Sequence, residues 1–110
     1  MIVRGSTQEH IFILPFYLDM IEELFVTYSQ NGKKVLEKKL SDGRLSTTNN
    51  SYIVTLSQED TLSFTPSFLT NPQKVNLVVM QLRVKLVDGR VLASDIIKEK
   101  VYDVLKEGVI

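Results

Sequence analysis

The sequence predicts an all-β protein: an antiparallel, Ig-like β-sandwich of about seven strands with at most short helical turns. Three observations carry this prediction. In residues 76–86, Val78, Met80, Leu82, Val84 and Leu86 alternate with Val79, Gln81, Arg83 and Lys85, a period of two that gives a strand one apolar and one largely polar face. The glycines follow polar residues, and Asn31-Gly32, Asp42-Gly43 and Asp88-Gly89 fall between extended segments, the strongest short signal for hairpin turns. No stretch keeps helical spacing beyond one or two turns; the best are residues 17–24 and 101–105, each too short to be more than a minor element.

The elements follow in order. Residues 10–14 form a first short strand. Leu24, Val26 and Tyr28 then alternate with Phe25, Thr27 and Ser29, and Asn31-Gly32 turns the chain into a strand over 33–40. There Leu36 and Leu40 face inward while Lys34 and Lys38 share that face near its ends, the mark of an edge strand whose lysines discourage further pairing. Tyr52, Val54 and Leu56 make another strand. In "LSQEDTL", Ser57 and Asp60 are placed to cap a tight turn through their side-chain oxygens. After Asp88-Gly89 the chain returns over 91–101, where imperfect alternation at Ala93-Ser94-Asp95 calls for a bulge. Residues 62–74, "LSFTPSFLTNPQK", break the regularity with two prolines and two phenylalanines. Their Phe64, Phe68 and Leu69 either plug one end of the sandwich or form an exposed apolar patch that binds something.

Composition excludes more than it suggests. A chain of 110 residues fits one domain, spanning 1–110, with a single core. Thirteen basic and thirteen acidic residues balance, which argues against electrostatic capture of nucleic acid or of an anionic membrane. Cysteine is absent, so disulfides, thiolate metal sites and thiol nucleophiles are absent too. The apolar run at 11–18 holds Pro15 and is far shorter than the ~20 residues of a membrane helix. It lacks the flanks of a signal peptide as well, so a cytosolic origin is the expectation.

His10 is the one histidine; it rules out a two-histidine metal site and leaves a single imidazole base, at a strand start. Neighbouring acids at Glu22-Glu23 and Glu59-Asp60 point to opposite faces of a strand and cannot converge on one bond. No carboxylate series of the calcium-loop kind and no phosphate-binding glycine loop occurs. Lys33, Lys34, Lys38 and Lys39 are read as a solvated edge rather than a nucleic-acid surface. The Asn49-Asn50-Ser51 sequon lies in an expected loop.

Six blocks in order carry a resemblance: "RGST" (4–7) leading to His10, "LPF" (14–16), "VTYSQNGK" (26–33), "LSQEDTLSF" (56–64), "QLRVKLVDG" (81–89) and "LASDI" (92–96). Over nearly its whole length the chain resembles a family of small proteins encoded in tailed phages and prophages of Firmicutes, and in fold it looks like the β-sandwich domains of phage tail and baseplate components. The loop at 62–74 is longer and more hydrophobic than that pattern, and recognition loops are what vary on such scaffolds. The resemblance implies a non-enzymatic virion structural protein with no catalytic residue, no cofactor and no metal. Its partners would be copies of itself, as a homo-oligomer, or other virion proteins, with neither nucleic acid nor membrane among them.

The candidate contact residues are Phe64, Phe68 and Leu69, together with Val104, Leu105, Val109 and Ile110 of the carboxyl-terminal "VYDVLKEGVI". Val104 and Leu105 could equally finish the subunit's own core. The alternative is a ligand- or carbohydrate-binding sandwich used in host attachment. Such a module presents aromatic platforms, whereas tryptophan is absent here and the tyrosines at 17, 28, 52 and 102 are dispersed.

Overall fold

A computed structural model describes residues 1–66, 77–103 and 109. Its strands are β1 (Ile2–Val3), β2 (Gln8–Ile13), β3 (Ile21–Gln30), β4 (Lys33–Lys39), β5 (Gly43–Ser46), β6 (Ser51–Leu56), β7 (Leu77–Leu86), β8 (Val91–Ala93) and β9 (Ile97–Tyr102), with one short helix, α1 (Gln58–Leu62), after β6. Among the described residues these make two sheets. The larger runs β1-β9-β7-β3-β4, with β8 also on β7, and the smaller runs β2-β6-β5. The expected all-β, two-sheet fold is present. One edge departs from an antiparallel sandwich, because β1 pairs β9 in parallel through Ile2↔Val101 and Val3↔Tyr102.

The core lies where the two sheets face each other. The large sheet contributes Leu24, Val26 and Tyr28 of β3 and Val78, Met80, Leu82, Val84 and Leu86 of β7; the small sheet contributes Phe12, Leu14, Tyr52, Val54 and Leu56. These are the alternating sets read from the sequence, and each fully buried aliphatic or aromatic side chain contributes about 1.5–3 kcal/mol. The two hairpins of the large sheet use different turn chemistry. Asn31 and Gly32 both take positive φ (52° and 76°), the two-residue turn whose twist matches its strands. At the other hairpin Gly89 alone is left-handed, with φ 91°, and closes a three-residue loop through Gly89 N–H to Leu86 O at 2.9 Å and Leu86 N–H to Arg90 O at 2.8 Å.

Three local expectations change. Asp42-Gly43 is not a hairpin: Leu40–Asp42 forms a 3-10 turn and Gly43 is extended, with φ −137°. The chain crosses there from edge strand β4 of one sheet to β5 of the other. Residues 17–24 give only the 3-10 turn Leu18–Met20, because Val87 N–H bonds Met20 O at 2.8 Å and β3 starts pairing with β7 at Ile21↔Leu86. A long ladder outweighs one turn of helix. Of the helical spacing at 101–105, Val101 and Tyr102 belong to β9 instead, and 104–105 lie outside the described residues. The bulge expected near Ala93-Ser94-Asp95 is present: β8 and β9 both pair β7, but the register shifts between Arg83↔Ala93 and Met80↔Ile97, so residues 94–96 lie opposite Gln81 and Leu82. Ser94 anchors the bulge, its N–H bonding Leu82 O and its Oγ accepting from Leu82 N–H.

The turn at Ser57 is a complete capping box that starts α1: Asp60 N–H donates to Ser57 Oγ at 3.1 Å and Ser57 N–H to Asp60 Oδ2 at 2.9 Å. Lys38, on the edge strand, reaches the same carboxylate at 2.8 Å. Burial pushes the Asp60 pKa up, but the bonds from Lys38 and Ser57 outweigh it and the net shift is downward. Ser57→Ala is expected to cost about 0.5–2 kcal/mol by removing one half of the box, measured as a fall in the urea midpoint. Asp60 adds stability that is present above the ordinary carboxylate range and lost as pH falls through its lowered folded value.

Candidate interaction edge

The candidate residues do not converge. Phe64 is 1% exposed, and its ring centroid lies 6.1 Å from that of Tyr28. It therefore plugs the sandwich beneath the end of α1, and as an exposed contact residue it is withdrawn. The segment after it is held by a reciprocal amide pair: Gln30 Nε2 donates to Thr65 O at 2.9 Å and Thr65 N–H donates to Gln30 Oε1 at 2.8 Å. Phe68, Leu69, Val104, Leu105 and Ile110 lie outside the described residues. Val109 is described and exposed.

His10 is partly buried, and its Nδ1 lies 2.8 Å from the Oη of fully buried Tyr28. Desolvation lowers the His10 pKa, against the opposing pull of Glu99 and alongside a lowering by the amino terminus. Burial raises that of Tyr28, with Tyr52 and Asp60 adding to it. A neutral imidazole beside a phenol that holds its proton acts as a polar strut between the small and large sheets. Tyr52 is likewise pushed up to about 12 by burial, then by Asp42, and its Oη donates to Lys39 O at 2.8 Å. Among the described residues, no group of three or more His, Cys, Asp or Glu side chains is placed to hold a metal ion.

The strut has a pH signature. The native state resists protonation that the unfolded chain accepts near pH 6.5, so stability is full above that value and declines as pH falls below it. Urea midpoints measured from pH 7.5 to 5 are expected to fall in the wild type and to be flatter in His10→Gln. Equal slopes would remove His10 as the cause.

The feature missed in the sequence is an open side of the sandwich. At one side the β4 to β5 crossing ties the sheets together. On the other, β1 at the edge of the large sheet leads through residues 4–7 into β2, the edge of the small sheet, and closes one end; beyond it, among the described residues, no strand lies between β2 and β8. Between them lies an apolar groove of about 450 Å³, lined in part by Phe12, Leu14, Phe16, Leu82, Val84 and Leu92. On the rim Ile11 is 51% exposed and Ile13 75%, with Tyr17 at 80% a few residues on.

Among the described residues, the outward backbone groups of this edge have no strand partner. Leu14 N–H bonds Asn50 O at 2.9 Å, and β2 pairs β6 through Phe12↔Tyr52 and His10↔Val54. Because successive residues of a strand aim their N–H and C=O to opposite sides, those of Glu9, Ile11 and Ile13 point away from β6 to the open edge. Nothing guards it. β2 holds neither lysine nor proline, while the edge at β4 carries four lysines and a register shift opposite Tyr28/Ser29, two features that discourage pairing. A signal was available, since residues 10–14 are apolar on both parities and a strand covered on one face must expose one set.

No protein-family model matches the chain, and no curated protein or solved structure is significantly similar to it.

Proposed function

We propose that the protein is a non-enzymatic structural subunit that acts through protein–protein contacts, and that the setting is the one its phage resemblance implies, a virion head, tail or baseplate. The observation that supports this reading best is the contrast between its edges. One is guarded by lysines, whereas β2 offers outward backbone groups with no strand partner among the described residues, exposed Ile11 and Ile13, and an apolar groove beside them. Exposed strand edges recruit further strands, and a surface kept open at the risk of aggregation is the kind that assembly uses.

The test is co-expression with the products of the flanking genes, with Ile13→Lys as the probe. Ile13 is mostly solvent-exposed, so the substitution should leave stability within about 0.5 kcal/mol. The wild type is expected to co-purify with a partner or as an oligomer, and Ile13→Lys to lose at least about tenfold of that association, or 1.4 kcal/mol. Identical behaviour of the two proteins would overturn the reading.

A further inference from the structure

We propose that the partner at the β2 edge is a second copy of this chain, joined β2 to β2 in an antiparallel seam centred on Phe12. The inference rests on the reading above and names the occupant of that edge. A two-fold axis requires the edge to complement itself, and β2 meets this in both backbone and side chains.

The outward groups of Ile11 and Ile13 narrow the choice. In an antiparallel pair, residues that exchange both hydrogen bonds must both aim at the seam. With the axis at Phe12, Ile11 of one copy faces Ile13 of the other and the reverse, giving two bonded pairs. On the outer face, where Ile11 already adjoins Ile53 across the sheet, the two isoleucines of each copy then cover those of its mate.

Charge complementarity favours the same seam. Glu9 is the one formally charged residue in β2 when His10 is neutral, it pairs with Arg44 on its own sheet at 3.6 Å, and in this register it falls opposite Pro15 rather than another acid. A seam of β4 with itself would set lysines against lysines. A stable interface buries more than about 1,000 Å², beyond what one short seam supplies. The exposed apolar surface continuous with the groove, Tyr17 and Leu92, lies where the second copy would cover it.

The absence of cysteine makes the register readable by cross-linking. Bonded pairs across an antiparallel seam have Cα atoms about 5.5 Å apart, within the disulfide range of roughly 4.4–6.8 Å. The expected results are a dimer by light scattering in the wild type, a covalent dimer under mild oxidation for the Ile11→Cys/Ile13→Cys double variant, and none for either single variant. Cross-linking of Ile11→Cys by itself would overturn the register. Mass growing past a dimer with concentration would overturn the closed two-fold. A monomer that forms no cross-link, yet still binds a flanking-gene product in an Ile13-dependent way, would overturn the homotypic partner while leaving the functional reading standing. If the Ile13 dependence also fails, both fall.

Discussion

Phe64→Ala is expected to destabilise the protein by about 3–5 kcal/mol, the range for truncating a buried phenylalanine. That is a large part of the roughly 5–15 kcal/mol that holds a small domain folded. The ring is fully buried and packs at 50° to Tyr28, whose hydroxyl is engaged by His10. The site has little freedom to collapse, because backbone on both sides of Phe64 is fixed. Ser63 N–H bonds back into α1, and Thr65 is clamped by the Gln30 amide. Thr61, one turn earlier, accepts from Gly5 N–H and donates to Ser6 O, tying the helix to the turn before β2. Urea unfolding measures the loss directly. A change under about 1 kcal/mol would place Phe64 outside the core and restore it as a surface residue.

The second large effect is expected at Gly43, where Gly43→Ala should cost about 1–3 kcal/mol or more through overpacking. The sign is the informative part. Gly43 has an extended backbone at φ −137°, a conformation open to any residue, and on that ground alone alanine would stabilise by about 0.4–1 kcal/mol through the unfolded chain. Packing reverses this, because a Cβ at Gly43 would sit 2.4 Å from Ile53 O and 2.6 Å from Tyr52 Oη. Ile53 O belongs to the ladder of β6 and cannot swing aside. Tyr52 is fully buried and its hydroxyl is bonded to Lys39 O, so relief there breaks the tie between the small sheet and the end of β4. Equilibrium unfolding of Gly43→Ala decides between the two effects, and a stabilised variant would mean that β5 and β6 sit farther apart at this corner.

The difference between these two residues shows what the sequence could and could not supply. Alternation placed Val78 to Leu86 and Leu24 to Tyr28 correctly, since side-chain direction in a strand depends only on parity. The Asn31-Gly32 turn and the Ser57/Asp60 box were legible because their chemistry is local. Gly43 was read as a turn glycine, when its role is a close approach between elements ten residues apart in the chain, and no local pattern encodes that. The short helical spacings at 17–24 and at Val101-Tyr102 misled for the same reason: tertiary pairing with β7 and β1 decided those residues. The interaction edge was the least legible. Phe64 looked available because aromatic residues near prolines read as a loop, while Ile11 and Ile13 were placed on a strand with neither face assigned. Which set of an apolar strand faces outward depends on what covers it, and that is set by the sheet order.

The claim that β2 is an assembly edge is tested most directly by residue-resolved amide hydrogen exchange on dilute and on assembled protein. The account predicts that the Ile11 and Ile13 amides exchange freely when the chain is alone and slow by at least about tenfold on assembly, while those of His10 and Phe12, bonded to β6, stay protected throughout. Exchange at Ile11 and Ile13 that is equally fast in both states, in a sample shown to be assembled, would contradict it and move the contact surface elsewhere on the molecule.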